Sequence, residues 1–454
     1  ARTTPRLSPE LTRVLDVAQK SARRGRPAAE IGTEHLLWGL VNVDSGAREF
    51  LRARGLTDAT LPDFLSEGEQ TVGAPLAVDV ELKRPDEQRL ERTALLRMLD
   101  AAANRAGEGL RVIEDFARFA LDDIHLTEEL KALRHELTDV LRIIPADERL
   151  AARDTQADVG TTVTTPSESE RASVADIVRS NFKRLQESLR TLEECSKRAQ
   201  ELWEAAKNVS PAAVLKLSER LEQIRYRVYT LEKAVLGTQH SRERLAECSL
   251  CLLATSSLCR QGLERVVRES LDAGVSMIQL REKELPDCEV LRLARDVRQW
   301  TRRRGALFIV NDRPDIALLA DADGVHVGQD DLSVYDARRI VGPDRLVGLS
   351  THSIGQARQA VLEGAVYLGV GPVFSSSTKQ FENLAGLELV RQVAAEITRP
   401  WFAIGGIGPE NLDALRAAGA VRIAVSAAIC RAQYPRDAAR QLLDQLEGAT
   451  NDAI

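Results

Sequence analysis

Eight short apolar runs recur along roughly the last 200 residues, and polar or glycine-rich sequence follows each of them. The runs are Cys251–Thr255, Met277–Leu280, Leu307–Val310, Gly324–Gly328, Leu346–Leu349, Tyr367–Gly371, Trp401–Ile404 and Arg422–Val425. A helix-like stretch follows each run. Strands and helices that alternate eight times predict a (β/α)8 TIM barrel over residues 245–446, with its chemistry at the carboxyl ends of the strands.

The rest of the 454-residue chain is long enough for further domains. Residues 88–238 are rich in Leu, Ala, Glu and Arg and predict an all-α domain, interrupted by a polar loop at Arg153–Thr162. Residues 1–66 predict a small all-α module of short amphipathic helices, and residues 67–87 a linker. The fold class is therefore multidomain, with an all-α bundle and a small helical module ahead of the barrel.

The helical segment contains a weak internal repeat of charged residues. Its two stripes are Glu108, Arg111, Asp115 and Arg118, and Glu187, Arg190, Glu194 and Lys197. Identical spacing places each stripe along one helix face. Two interpretations stay open: a solvated face of ion pairs, or a charged pocket between two related helices.

Charge and composition exclude several classes of function. The net charge of −6 provides no positive field for nucleic acid, and no apolar run approaches the ~18 residues of a membrane span. The polar start, Ala1–Glu10, has no secretory apolar core, so we expect a cytoplasmic protein. Cys248 and Cys251 have no second CxxC pair and are predicted to be ordinary reduced thiols.

The second strand ends in a basic cluster. Alternate residues of a strand share a face, so Gln279, Arg281 and Lys283 are expected to point into the barrel mouth. Two cations and an amide suit a polyanion such as pyrophosphate. The alternative is a surface charge cluster, which the position at a strand end disfavours.

Carboxylates follow the next two strands. Asp312 comes directly after Asn311 at the end of the third run, and Asp331 follows the fourth. Neighbouring carboxylates that face an anion site can hold Mg²⁺ together with substrate oxygens, although a lone Asp in such a loop is more often a helix cap. His326 is expected to face inward, either as a core histidine or as a ligand contact.

Strands seven and eight predict a second anion site, whereas the loop after strand six adds its lysine to the first. Ser350–His352 ends strand five, and the hydroxyl-rich loop Ser375–Lys379 after strand six suits phosphate oxygens and could serve as a lid. Gly405–Gly408 and Val425–Ala427 follow strands seven and eight, where barrels commonly bind phosphate through backbone amides. Two anion sites in one barrel predict a group transfer with pyrophosphate as the leaving group.

The combination of these motifs resembles thiamine-phosphate synthase over residues 245–445. The matching segments are Gln279–Lys283, Asn311–Asp312, Asp323–Asp331, Ser350–His352, Gly371–Phe374, Thr378–Lys379 and Ala403–Ile407. The resemblance implies a Mg²⁺-dependent transferase that joins 4-amino-5-hydroxymethyl-2-methylpyrimidine diphosphate to a thiazole phosphate. Where the family usually has Pro-Thr before its Thr-Lys pair, this chain has Ser375-Ser376.

The resemblance also implies roles for single residues. Asp312 and Asp331 would bind the metal, and Ser350 would contact the diphosphate or the pyrimidine. Residues implied to hold the pyrimidine diphosphate are Gln279, Arg281, Lys283, Asn311 and Lys379; those implied to meet the thiazole phosphate are Ser376, Thr378, Gly406 and the backbone near Val425 and Ser426. Arg281, Lys283, Lys379 and Ser350 are the predicted catalytic residues.

Two resemblances concern the preceding segments. Asn104–Asp115, Leu133–His135, Ala152–Thr155, Asp158–Thr161 and Leu231–Lys233 resemble a domain that some bacteria fuse to this synthase and that has been proposed to act as hydroxymethylpyrimidine phosphate kinase. The segment has no P-loop. Ile31–Leu37 and Ser45–Arg48 resemble a single Clp N-terminal repeat, a module that binds protein partners.

Other functions remain open on sequence alone. A thiazole-phosphate tautomerase of the same barrel type would need only the monophosphate site, and a sensor or interaction protein would need no turnover. The small phosphorylated substrates are the expected partners. The sequence leaves open a homo-oligomer and a protein partner for the N-terminal module.

Overall fold

The computed structural model describes residues 8–22, 31–57, 87–144, 146–153, 173–206, 211–375 and 384–448. The chain divides into two compact units, residues 1–84 and 85–454, and each is described by itself. The predicted linker lies outside the described residues except for Glu87, and the predicted loop Arg153–Thr162 lies outside them except for Arg153.

The N-terminal unit contains three described helices, α1 (Pro9–Ala22), α2 (Thr33–Asn42) and α3 (Gly46–Arg52). Val14 and Ala18 of α1 are buried, as their shared helical face predicts, whereas Leu11 on the same face is exposed. The Ser45 hydroxyl accepts a hydrogen bond from the Arg48 amide and caps α3.

The second unit begins with a helical bundle. Its described helices are α4 (Glu87–Phe119), α5 (Ile124–Leu141), α6 (Ala146–Ala152), α7 (Val174–Ala206) and α8 (Pro211–Arg244). Helix α4 packs against α5 and α7, and α8 packs against α5 and α7, so the four long helices surround one apolar core. Helix α8 continues to Arg244, past the boundary at residue 238 that the sequence predicts, and leads directly towards the barrel.

The charge stripes of the internal repeat lie on solvated faces. All eight stripe residues are exposed, so the interpretation as a charged pocket is wrong. Next to the stripes, each helix buries a carboxylate instead: Glu114 and Glu193, one residue before Asp115 and Glu194. Glu114 accepts a hydrogen bond from Arg134 of α5 at 2.7 Å, and Glu193 accepts one from Arg225 of α8 at 3.0 Å. The repeat therefore also holds in three dimensions, through the ion pairs that join each helix to its neighbour.

The eight predicted strands form a closed parallel barrel in sequential order, which confirms the predicted fold class. The strands are β1 (Leu250–Ala254), β2 (Met277–Leu280), β3 (Leu307–Asn311), β4 (Gly324–Val327), β5 (Leu346–Thr351), β6 (Tyr367–Val370), β7 (Trp401–Ile404) and β8 (Ile423–Val425). The surrounding helices are α9 (Leu263–Asp272), α10 (Asp287–Arg304), α11 (Pro314–Leu319), α12 (Val334–Val341), α13 (Ile354–Glu363), α14 (Gly386–Glu396), α15 (Leu412–Ala417), α16 (Ala427–Cys430) and α17 (Pro435–Glu447). The register pairs Gln279 of β2 with Ile309 of β3, and Asn311 with His326 of β4.

The barrel interior is filled towards the amino ends of its strands. A second core cluster there contains Leu245, Met277, Ile309, Tyr367 and Phe402, all buried. Large side chains from several strands thus close the barrel axis, as is typical of this fold. The carboxyl ends of the strands remain available for a site.

The helical bundle packs against the amino ends of the strands. Arg399, two residues before β7, is fully buried and donates hydrogen bonds to the Ala234 carbonyl at 2.9 Å and the Ser241 hydroxyl at 3.1 Å, both on α8. The Asp123 carboxylate accepts hydrogen bonds from the amide and hydroxyl of Thr398. The bundle therefore covers the end of the barrel opposite to the expected site.

The cysteines are free thiols. Cys248 and Cys251 are both buried, and burial raises the pKa of each, which fits the predicted role as ordinary reduced thiols. Among the described residues, no helix has the combined length and apolar character needed to cross a membrane.

Candidate active site

One cavity of about 530 Å³ lies at the carboxyl ends of the strands. Residues from the ends of all eight strands contribute to its wall. Predicted site residues that line it are Gln279, Arg281, Lys283, Asn311, Asp312, Asp331, Ser350, Gly406, Val425 and Ser426. The structure thus brings the described residues of both predicted anion sites into a single cavity.

The basic cluster of β2 has the predicted alternation. Gln279, Arg281 and Lys283 line the cavity, whereas the intervening Glu282 turns to the amide of Ser256 and accepts its hydrogen bond at 2.6 Å. The Arg281 amide donates to the Ala254 carbonyl at 2.8 Å, which continues the β1–β2 ladder to the site. Strand pairing therefore fixes the backbone that presents the two cations.

The third strand places a carboxylate beside these cations. Asp312 has a left-handed backbone, with φ of 59°, and its amide donates to the His326 carbonyl at 2.8 Å. The Lys283 ammonium lies 2.8 Å from the Asp312 carboxylate. Asn311 accepts a hydrogen bond from the Gln279 amide group at 3.5 Å, so adjacent strands join their polar side chains at the mouth.

Asp331 completes a carboxylate pair with Asp312. The pKa of Asp331 is raised, chiefly by burial and also by the neighbouring Asp312 carboxyl group. The hydrogen bond that the Gly328 amide donates to Asp331 at 2.8 Å acts in the opposite direction. Two carboxylates that interact this closely repel each other when both are ionised, and a bound cation would relieve that repulsion. Among the described residues, no cluster of three or more His, Cys, Asp or Glu side chains forms a fuller metal site.

His326 lies at the inner wall of the cavity. Burial lowers its pKa to about 4, so the imidazole is neutral at physiological pH. Its Nε2 lies 2.9 Å from the Ser350 hydroxyl, while Nδ1 has no hydrogen-bond partner among the described residues. The sequence left a core role and a ligand contact open; the structure gives this histidine both a buried ring and a cavity-lining position beside Ser350.

The opposite wall is a glycine-rich cradle. Gly405 and Gly406 have φ of 104° and 60°, and a Cβ on Gly406 would lie 2.2 Å from the Ser375 carbonyl oxygen. Asn411 holds the turn, donating to the Gly406 carbonyl at 2.8 Å and accepting from the Gly408 amide at 3.0 Å. Only glycine tolerates this conformation and this close approach, which leaves bare backbone at the surface of the cavity.

Three predicted residues cannot be placed. Ser376, Thr378 and Lys379 lie outside the described residues, which end at Ser375 and resume at Leu384. Their predicted roles, and that of the Ser375–Lys379 loop as a lid, stay predictions.

Sequence reasoning missed several residues of the cavity wall. Thr255 follows β1, lines the cavity and donates its hydroxyl proton to the Arg281 carbonyl at 2.9 Å. Gln329 also lines it and donates to the Ser350 carbonyl. Thr255 ends the first apolar run and Gln329 directly follows the fourth, and these positions were the available signal. Asn411 carried no such signal, because it acts from the loop beyond the glycines.

Two family models and one solved structure are similar to parts of this chain. Residues 250–429 match the family model described as thiamine monophosphate synthase, and residues 97–234 match that of the ThiD2 family. A solved structure, the thiamine phosphate pyrophosphorylase from Pyrococcus furiosus, is 35% identical and covers 44% of this chain and 96% of its own, with a TM-score of 0.42.

Curated relatives extend the similarity beyond the barrel. The thiamine-phosphate synthase of Synechocystis is 41% identical over 359 residues, covering 79% of this chain and 98% of the relative. That of Gloeobacter violaceus is 45% identical over 362 residues, with the same coverage of 79% and 98%. Because such identity runs through nearly the whole length of these relatives, this chain belongs to the thiamine-phosphate synthase family.

Proposed function

We propose that this chain transfers the pyrimidine methylene group of 4-amino-5-hydroxymethyl-2-methylpyrimidine diphosphate to the nitrogen of a thiazole phosphate, forming thiamine phosphate and releasing pyrophosphate. The observation that carries the proposal is the single cavity with cations on one wall and a glycine cradle on the other. Family membership supports the same reaction.

The β2 wall suits the leaving group. Arg281 and Lys283 can donate to diphosphate oxygens, and their charges offset the charge that builds up as the C–O bond to diphosphate breaks. The aminopyrimidine ring can spread the positive charge left on its methylene carbon. The thiazole nitrogen then supplies the electron pair for the new C–N bond, so the reaction needs no nucleophilic side chain.

The cradle suits the second substrate. Bare backbone at Gly405 and Gly406, together with the Ser426 turn, would anchor a monophosphate on the opposite side of the cavity. Anchoring both substrates by their phosphates fixes the distance between methylene carbon and ring nitrogen. Much of the rate enhancement then comes from positioning.

We further propose that Asp312 and Asp331 hold Mg²⁺. Two adjacent carboxylates beside an anion site match the preference of this ion for a few carboxylate ligands completed by phosphate oxygens and water. When bound, the ion would neutralise charge on the diphosphate. The Lys283 ammonium, 2.8 Å from Asp312, already supplies one positive charge at this place.

The test measures pyrophosphate release by the full chain with Mg²⁺ and both substrates. We expect turnover with the parent protein and a loss of about 100-fold or more in kcat for Lys283→Ala, because one charge-stabilising donor is removed. Lys131→Ala on α5, which removes an exposed lysine from the bundle, should leave kcat unchanged.

Two outcomes would contradict the proposal. Interconversion of thiazole phosphate tautomers without pyrophosphate release would favour the tautomerase, and binding of either substrate without turnover would favour a sensor. Chelation by EDTA should abolish turnover and added Mg²⁺ should restore it; full activity in EDTA would refute the metal site while leaving the transfer reaction standing.

A further inference from the structure

His326 and Ser350 form a hydrogen-bonded pair on the wall of the active-site cavity. His326 lies on β4 and Ser350 on the neighbouring β5, and Nε2 of the ring lies 2.9 Å from the serine hydroxyl oxygen. Each group can donate or accept, because a neutral imidazole carries its proton on either nitrogen and a hydroxyl does both. The direction of this hydrogen bond therefore decides whether Ser350 offers the cavity a donor or only an acceptor.

The surroundings of the ring leave its other nitrogen without a partner. His326 is buried, and within the described part of the chain its Nδ1 has no hydrogen-bond partner. Gly348 of β5 and Gly369 of β6 make room for the ring: a Cβ on Gly348 would lie 2.6 Å from Nδ1, and one on Gly369 would lie 3.2 Å from Cε1. The ring of Tyr367 packs beside it, with the centroids 5.4 Å apart. Nδ1 thus faces closely packed protein and not solvent.

This packing selects the tautomer of the histidine. The buried ring is neutral and carries a single proton. A proton on Nδ1 would leave a buried N–H donor without an acceptor, and orphaned donors are rarer in proteins than acceptors with an unused lone pair. A proton on Nε2 instead meets the Ser350 oxygen and leaves only a lone pair on Nδ1. The favoured tautomer therefore makes the histidine the donor.

A serine hydroxyl that accepts from His326 keeps its own proton for another partner. Ser350 lines the cavity, and no described residue other than His326 forms a hydrogen bond with its hydroxyl. Donation from Nε2 also polarises the O–H bond, which makes the hydroxyl a stronger donor. An anionic oxygen is the partner that suits such a donor best.

We propose that His326 is a positioning residue, which holds the Ser350 hydroxyl as a donor to an oxygen of the diphosphate leaving group. The inference rests on the proposed transfer reaction and adds a residue to it. Arg281 and Lys283 line the same cavity, so the hydroxyl joins a donor set that already carries two cations. When the C–O bond breaks, its electron pair goes to the diphosphate oxygen, and a donor fixed in advance stabilises that charge without reorganisation. His326 keeps its proton throughout the step.

The tautomer is measured on the full chain without substrate. Long-range proton–nitrogen correlation spectra of protein with isotope-labelled histidine distinguish a protonated ring nitrogen from an unprotonated one. The signals that disappear in His326→Gln assign this ring among the six histidines of the chain. We expect the proton on Nε2. A proton on Nδ1 would overturn the proposal, because the serine would then donate its proton to the ring.

Two substitutions of similar size separate the donor from the volume of the side chain. His326→Gln keeps an amide donor that can reach Ser350, whereas His326→Met fills the space without one. We expect kcat to fall about tenfold or more in His326→Met and to stay within about threefold of the parent in His326→Gln, because a hydrogen bond to a charged oxygen is lost only in the first. KM for the thiazole phosphate should not change in either, since the glycine cradle lies on the opposite wall.

Melting temperatures check that both variants fold. His240→Met replaces an exposed histidine of α8 and serves as the matched control, with kcat unchanged. Equal kcat values for His326→Met and His326→Gln would overturn the proposal.

A double-mutant cycle with Ser350→Ala shows whether His326 acts through the serine. In a protein that lacks the hydroxyl, His326→Met should cost no further activity, because the two residues act as one unit. A purely structural role would give the same loss with and without the hydroxyl, and that result would also overturn the proposal.

Binding of inorganic pyrophosphate in the presence of Mg²⁺, measured by calorimetry, keeps the test independent of turnover. His326→Met should weaken this binding about tenfold, and His326→Gln should leave it close to the parent. If pyrophosphate binding follows this pattern but the parent releases none from the two substrates, the transfer reaction fails and the positioning role stands. If the parent turns over and His326→Met binds pyrophosphate as tightly as the parent, the positioning role fails and the reaction stands.

Discussion

Arg399 allows a sharp test of how the bundle and the barrel are joined. Its guanidinium is fully buried between α8 and the start of β7, and burial lowers its pKa to about 10. The shift from the ordinary value of 12.5 corresponds to about 3 kcal/mol by which the surroundings disfavour the charged form. The charge is therefore a cost that hydrogen bonding and packing must offset.

Each of the two hydrogen-bond partners of Arg399 also makes a hydrogen bond to another group. The Ala234 carbonyl also accepts from the Thr238 hydroxyl at 2.8 Å, and the Ser241 hydroxyl donates to the Gly237 carbonyl at 2.6 Å. Removing the guanidinium consequently leaves neither group without a partner, and the usual penalty for an orphaned buried group is small. What Arg399 chiefly supplies is volume.

We therefore expect Arg399→Met to change the free energy of unfolding by no more than about 1 kcal/mol, because it keeps most of the volume and removes a buried charge. Arg399→Ala should cost about 2–4 kcal/mol, because it leaves a cavity at the joint. Urea titrations followed by circular dichroism measure both values, with Arg391→Met as the control for an exposed arginine on α14. Equal losses for Met and Ala would refute this reasoning and show that the hydrogen bonds dominate.

Two further substitutions test the barrel. Gly406→Ala should raise KM for the thiazole phosphate by about tenfold or more, because the Cβ would lie 2.2 Å from the Ser375 carbonyl oxygen and φ is 60°; steady-state kinetics with an unchanged KM would contradict the cradle. Gly348→Ala should destabilise the barrel by about 1–3 kcal/mol, because its Cβ would lie 2.2 Å from the Tyr367 ring. Gly355→Ala, in an open position on α13, should be neutral or stabilising in the same thermal melts.

The sequence was sufficient to predict the barrel and to locate the carboxyl ends of its strands, where the cavity lies. Each strand is an apolar run bounded by polar or glycine-rich residues, so both the strand count and the carboxyl ends could be located. The closeness of Lys283 and Asp312 followed from the adjacency of β2 and β3 in a sequential barrel. These features depend on local pattern and on a topology that repeats.

Features that depend on packing between distant segments could not be predicted. The sequence shows the charge stripes of the bundle repeat, but the acids that pair across the helices are Glu114 and Glu193, one position away from the stripes. The direction of the core determines which of two neighbouring residues is covered. Arg399 has only Pro400 between it and a strand, and an arginine there predicts exposure. Burial of that side chain requires a helix from about 160 residues earlier to cover it.

The contact between the bundle and the barrel lies at the opposite end of the barrel from the active-site cavity. Asp123, Arg399 and the end of α8 meet at the amino ends of the strands, whereas this cavity opens at the carboxyl ends. Between them the barrel axis is closed by the buried side chains of Met277 and Phe402. Among the described residues, the barrel axis therefore offers no path from the bundle to the active-site cavity.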